Sequence, residues 1–202
     1  MKKRITALGL LWCLSAVMLQ AARVDTVLVR SVAMNKDVKV VYVLPDKAIG
    51  KQACPVVYLL HGYGGNARSW MQLKPELPQM ADEKGIIFVC PDGKNSWYWD
   101  SPENPAYRYE TFVTSELVKY TDGNYATIPD RKARAISGLS MGGHGALWSA
   151  IRHKDVFGAA GSMSGGVDIR PFPPELGNEQ AVGRVCCQQG ILGCTYGGQP
   201  VG

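Results

Sequence analysis

The sequence predicts an α/β fold built in three layers, a mostly parallel sheet with helices on both faces. Three observations predict it. Runs of strand length recur at 56–60, 86–90 and 133–137, the first two continuously apolar in the way of strands buried on both faces. Segments with helical periodicity separate these runs. The stretch "GLSMGGHGA", residues 138–146, stands where the third run gives way to a helical pattern. It matches G-x-S-x-G, a sharp strand-to-helix turn that lifts a serine above the end of a strand.

Along the chain, Lys2, Lys3 and Arg4 precede an apolar run at 5–19, with small residues at Ala21 and Ala22. That is the order of a secretory signal peptide, so residues 1–21 are expected to be removed and the protein to be exported, periplasmic or extracellular. The run is shorter than the ~20 residues that span a bilayer, so no stable membrane insertion is expected. Next, "VDTVLVRS" and "VKVVYVLP" alternate in polarity around the polar "MNKD" and read as an antiparallel hairpin. The first buried strand, 56–60, stops at "HGYGGN". A helix over 75–84 leads to the second strand, 86–90, and then to the aromatic loop "PDGKNSWYWDSPENPAYRYE". A helix over 111–120, the strand 133–137, a helix over 141–152 and a strand over 157–163 complete the alternation. Right-handed crossovers then bring Gly62, Asp92 and Ser140 to one edge of the sheet.

After Pro174 the composition changes: residues 175–202 hold seven glycines and three cysteines without clear periodicity. Against the expected further strand or helix, this reads as an anomalous Gly/Cys-rich tail from a shifted frame or truncated gene, or as a flexible tail. The length of 202 residues suits one domain, here a partial one over 22–174, C-terminally incomplete.

Composition excludes some partners. The net charge is +5, and three of those charges are Lys2, Lys3 and Arg4, leaving 19 basic against 17 acidic residues with no basic block. No nucleic-acid partner is indicated. Cys54 and Cys90 would lie at opposite ends of neighbouring parallel strands, about 16 Å apart at ~3.3 Å per residue, beyond disulfide reach. Cys186, Cys187 and Cys194 have no histidine after His153 to complete a metal site, so no metal and no cofactor are expected.

Ser140 is the candidate nucleophile, with a serine capping the following helix as the plainer alternative. A nucleophilic serine needs a base, and the chain has three histidines, His61, His144 and His153. His144 lies four residues on, descending along the helix, and reads as packed. His61 ends its strand, and His153 sits at a helix C-terminus, where positive charge suits the dipole. None fits the hydrolase chain order Ser, then Asp or Glu, then His. The acid and histidine of a triad are therefore not expected in this chain; Asp155, Asp168, Glu175 and Glu179 would have no histidine to orient. Trp97, Tyr98 and Trp99 cannot all face the core of an irregular loop, so at least one is expected to line the cleft and bind substrate.

Four segments, "YLLHGYGGN", "PDGKNSWYWDS", "RKARAISGLSMGGHGALWSAIRHKDVF" and "AAGSMSGG", in this order and spacing resemble the esterase family that includes esterase D (S-formylglutathione hydrolase), feruloyl and acetyl-xylan esterases and the antigen 85 mycolyltransferases. The likeness runs over about 24–174 and is strongest to secreted bacterial tributyrin-type esterases. It implies an α/β-hydrolase fold and a serine carboxylesterase with Ser140 as nucleophile. The backbone N–H groups of Tyr63 and Met141 would form the oxyanion hole, and His61 would shape the turn. The implied substrates are small-molecule or polysaccharide esters, with short-chain or carbohydrate-linked acyl groups and an acyl-enzyme intermediate. With no acid or histidine for a triad, this chain is expected to be inactive or weakly active. Acyl transfer to a sugar hydroxyl and a non-catalytic carbohydrate-binding module are the alternatives.

Overall fold

The computed structural model describes residues 22–167 and the backbone of 195–196 and 199–200. The expected signal peptide and most of the Gly/Cys-rich segment lie outside the described residues. Six strands form one sheet in the order β1-β2-β4-β3-β5-β6. The hairpin is β1 (Arg23–Ser31) against β2 (Lys36–Leu44), antiparallel, turning at Asn35 with φ 49°. β2 runs antiparallel to β4 (Ile87–Pro91). From β4 onward the sheet is parallel, through β3 (Val56–Leu60) and β5 (Arg134–Leu139) to β6 (Ala159–Met163). Thr195–Tyr196 (β7) pairs antiparallel with Gln199–Pro200 (β8).

The apolar runs are continuous because the sheet is covered on both faces. Period-2 alternation sends Val40, Tyr42, Val56, Tyr58 and Ile136 into one cluster with Phe112, Leu117 and Met141. It sends Val41, Val43, Leu59 and Phe88 into a second cluster with Trp70, Leu77 and Ala81. The second face is covered by α2 (Ser69–Leu73) and α3 (Leu77–Lys84), where a single helix over 75–84 is expected. Pro75 falls in the break between them, and α3 carries Pro78 in its first turn, where the missing N–H has no helical partner anyway. Gly85, at φ 63°, ends α3 with a left-handed cap. A short helix, α1 (Asp46–Ile49), leads into β3.

On the first face the helix expected at 111–120 is longer. It begins as α4 (Tyr109–Thr111), widens into a π turn at Phe112–Glu116 and continues as α5 (Leu117–Asn124). Thr121 binds it to the sheet through a 2.9 Å hydrogen bond with the buried Tyr42 hydroxyl. At the base of β5 the buried Arg134 donates to Asp122 at 2.6 Å and to the Val156 carbonyl at 3.0 Å. α6 (Met141–Arg152) keeps the expected bounds. Cys54 and Cys90 are buried free thiols, and the β3/β4 register places Cys90 level with Leu59, five residues along from Cys54.

Candidate active site

β3, β4 and β5 are parallel, so their C-terminal ends meet at one edge, and the loops leaving them build the site. Ser140 is the single residue between β5 and α6 and holds φ 53°, ψ −117°, a conformation strained for any residue with a β-carbon. Its N–H donates to the Met163 carbonyl on β6 at 2.8 Å, and its carbonyl accepts the His144 N–H at 3.0 Å. The residue is exposed, and its hydroxyl makes no cap bond to the helix. The capping alternative for Ser140 is thereby removed.

The glycines around the serine are required by contact. A β-carbon on Gly142 would stand 2.1 Å from the Leu60 carbonyl oxygen, and one on Gly138 would stand 2.2 Å from the Gly142 carbonyl oxygen. The elbow is therefore pressed against the end of β3. The loop leaving β3 runs beside it, since a β-carbon on Gly62 would lie 3.6 Å from the Ser140 β-carbon.

His61, 1% exposed, governs the direction of that loop. The Gly93 N–H donates to its Nε2 at 2.9 Å, which leaves Nδ1 to donate to the Gly62 carbonyl at 2.7 Å. In a trans peptide the Gly62 C=O and the Tyr63 N–H point in opposite directions. Fixing the carbonyl toward His61 thus fixes the Tyr63 N–H away from it. The Met141 N–H belongs to the first residue of α6, whose amide has no partner within a helix. Among the described residues, neither N–H has an acceptor.

Asp92 follows β4, 3.7 Å from His61 Nε2. It accepts the Lys94 ammonium at 2.7 Å and the Lys94 N–H at 3.0 Å. Burial opposes its charge, but the two Lys94 contacts outweigh it and hold the carboxyl well below the usual carboxylate range.

Among the described residues, no histidine side chain is hydrogen-bonded to the Ser140 hydroxyl. Both nitrogens of His61 are taken, as above. His144 is buried, donates Nδ1–H to the Gly166 carbonyl at 2.7 Å, and has Trp97, Trp99 and Trp148 around its ring. Burial lowers its pKa, against the pull of the Gly166 carbonyl, and so keeps it neutral. His153 caps α6 and meets Glu110 at 2.8 Å. Of the candidate acids, Asp155 is exposed, while Asp168, Glu175 and Glu179 lie outside the described residues.

The three aromatics divide. The Tyr98 ring is fully buried between Gly93 and Gly145, where β-carbons would stand 2.2 and 2.6 Å from it, and its hydroxyl donates to the His61 carbonyl at 3.2 Å. Trp99 is buried against His144 and Trp148. Trp97 alone of the three is partly exposed. Of the three candidate substrate-binding rings, Tyr98 and Trp99 are buried and support the loop from within, which leaves Trp97 as the candidate. Two residues carry no local signal of their place here. Asn95 accepts the Gly64 N–H at 2.8 Å, and the buried Glu110 receives Trp148, Arg152 and His153 at the far end of α6. Among the described residues, no three His, Cys, Asp or Glu side chains gather as a metal set, and no helix is long and apolar enough to cross a membrane.

Comparison with known proteins finds relatives of this chain. The pattern of a family described as "Putative esterase" matches residues 31–189. An acetyl esterase of Caldicellulosiruptor saccharolyticus is 28% identical over 132 residues, 61% of this chain and 49% of that protein. The Mycobacterium leprae protein named diacylglycerol acyltransferase/mycolyltransferase Ag85A is 34% identical over 154 residues, 72% of this chain and 44% of its own length. Among solved structures, a ferulic acid esterase aligns with a TM-score of 0.65 at 32% identity, over 74% of this chain and 62% of that one. The chain spans about half the length of the two curated relatives.

Proposed function

Because the chain belongs to the esterase family whose pattern covers residues 31–189, we propose that it is built for carboxylic ester hydrolysis, with Ser140 as the nucleophile. One observation carries this reading: an exposed serine, its hydroxyl free of any cap bond, held at positive φ next to the Met141 N–H and beside the loop at Gly62 that leads to the Tyr63 N–H, two amides without acceptors among the described residues. In the reaction Ser140 Oγ attacks the ester carbonyl carbon, and the carbonyl oxygen, now an oxyanion, sits between those two N–H groups. Collapse expels the alcohol and leaves an acyl-serine. Water then attacks the acyl-serine and releases the acid. No step calls on a cofactor.

The proton of Ser140 is the slow point. His61 has both ring nitrogens bonded, His144 is enclosed by Trp97, Trp99 and Trp148 with its Nδ1 on the Gly166 carbonyl, and His153 meets Glu110, so no histidine of the chain is hydrogen-bonded to the hydroxyl to take it. We therefore expect weak turnover, of the order of the roughly 10³ to 10⁴ over water that oxyanion stabilisation and binding sustain without a complete triad. The test is release of p-nitrophenol from short-chain p-nitrophenyl esters, with the acyl-serine sought by intact mass. Slow turnover with an acyl adduct, both lost in Ser140→Ala, supports the reading; an equal rate in Ser140→Ala overturns it.

Relatives named for acetyl and ferulic esters point to small-molecule or polysaccharide esters as substrates, with Trp97 as the ring available to them. The relative named as an acyltransferase supports a second reading, in which a sugar hydroxyl rather than water takes the acyl group. Product analysis with competing acceptors separates the two. A non-catalytic carbohydrate-binding role would instead show as binding unaffected by Ser140→Ala. Export rests on the pattern of residues 1–21.

A further inference from the structure

We infer that Asn95 is a positioning residue for the proposed oxyanion hole: its side-chain carbonyl selects the turn conformation of the loop that carries the Tyr63 N–H. The inference rests on the esterase reading of Ser140 for its catalytic consequence, but the turn itself is read directly from the loop. The Gly65 N–H donates to the Gly62 carbonyl at 3.0 Å, closing a four-residue turn with Tyr63 and Gly64 at its centre. Gly64 has φ 74° while Tyr63 is not at positive φ, which defines a type II turn. The same closing bond is compatible with a type I turn, in which the central peptide between Tyr63 and Gly64 is inverted and Gly64 takes negative φ. Glycine accepts both.

Packing does not choose between them. No atom lies within 4 Å of the β position of Gly64, and Tyr63, Gly64 and Asn95 are all exposed. The choice is made by the central peptide's own N–H, which Asn95 Oδ1 accepts at 2.8 Å. His61 and Gly65 fix the peptide before Tyr63 through the Gly62 carbonyl. Asn95 fixes the peptide after it. Tyr63 is the pivot between them: the first tether sets the direction of its N–H, and the second anchors the residue to the aromatic loop, so that the donor keeps its place only when both are present.

Three variants of the full chain test this, namely Asn95→Leu, Asn95→Asp and Gly64→Ala, with two readouts. The first is hydrogen exchange of the Gly64 amide by NMR, which needs no substrate. Asn95→Leu should speed it about five- to tenfold, the equilibrium worth of one neutral hydrogen bond, and Asn95→Asp, which keeps the acceptor, should restore it. The second is the split between kcat and KM on p-nitrophenyl acetate. Asn95→Leu should lower kcat by about tenfold, less than the ~10² to 10³ for removing an oxyanion donor, with KM within about twofold. Gly64→Ala, disfavoured at φ 74°, should lower kcat similarly, and adding Asn95→Leu to it should cost little more. Unchanged Gly64 exchange in Asn95→Leu, or a loss confined to KM, overturns the inference. If native turnover proves independent of Ser140, the esterase reading fails on its own, while the exchange measurement still decides the turn.

Discussion

Replacing Ser140 with glycine should make the protein more stable while removing its nucleophile. The backbone at φ 53°, ψ −117° is open to glycine and strained for any residue with a β-carbon. Such strain costs about 1–3 kcal/mol, and the greater freedom that glycine loses on folding gives back about 0.5–1 kcal/mol. Little else changes. The side chain is exposed, makes no cap bond, and its hydroxyl has no hydrogen-bond partner among the described residues. The net expectation for Ser140→Gly is a gain of about 0.5–2 kcal/mol, or roughly 2–4 °C in Tm per kcal/mol for a chain of this size. Ser140→Ala keeps the β-carbon and hence the strain, so it should lie within about 0.5 kcal/mol of native. Urea unfolding followed by tryptophan fluorescence measures all three proteins, and acyl adduct formation should be absent in both variants. A glycine variant no more stable than the alanine variant would show that the elbow is not strained and would refute the reasoning.

At the other end of α6, Glu110→Gln should destabilise by about 2–4 kcal/mol, because a buried acceptor of three donors becomes partly a donor and the Trp148 N–H loses its carboxylate. A double-mutant cycle with Trp148→Phe should return a coupling above about 0.5 kcal/mol, and strict additivity would argue against the contact. Acidification should lower stability in two stages. Burial, opposed by the Gly166 carbonyl, holds His144 below its ordinary 6.5, so the unfolded chain takes up that proton first and stability falls as pH drops below about 6.5. Asp92 and Glu110 are held down by their donors against burial, and their contributions are lost below their ordinary values of 3.8 and 4.5. Urea midpoints from pH 8 to 2 should trace both stages, and His144→Phe should flatten only the upper one. Gly142→Ala should abolish acylation and cost about 3 kcal/mol or more, since its β-carbon would meet the Leu60 carbonyl at 2.1 Å; native-like stability in that variant would mean that the elbow can move off β3.

Local pattern carried the parts of the fold that are set locally. β3, β4 and α6 were legible because a strand buried on both faces needs an unbroken apolar run and a helix needs a 3.6-residue repeat, while β5, whose run Arg134 and Ser137 interrupt, was legible from the turn that ends it. α2 was not, since five residues with Trp70 as their one buried member form no repeat. The elbow was legible because its strain and its contacts both demand glycine within two residues of Ser140. The destinations of Tyr98 and Glu110 were not. Tyr98 is drawn inward by a slot that Gly145 opens 47 residues later, and Glu110 is buried by donors that lie 38 to 43 residues away. Asn95 escaped notice for the same reason, because its partner is 31 residues earlier in the chain.

The strain at Ser140 persists because strands on both sides hold the elbow, which also separates what is rigid in the site from what is adjustable. β3 meets it through the Leu60 carbonyl against Gly142, and β6 meets it through the Met163 carbonyl on the Ser140 N–H. A rotation of Ser140 to relieve its φ would break the second contact and drive α6 into the first. The Met141 N–H, one peptide farther on in a residue packed into the core, inherits that rigidity. The Tyr63 N–H does not, for its turn is exposed and rests on three hydrogen bonds, from His61, Gly65 and Gly64, with no packing at Gly64. Of the two proposed donors, one is therefore fixed by the sheet and the other by a tether from the aromatic loop. Changes in that loop should alter how well the oxyanion is held before they alter where the serine stands.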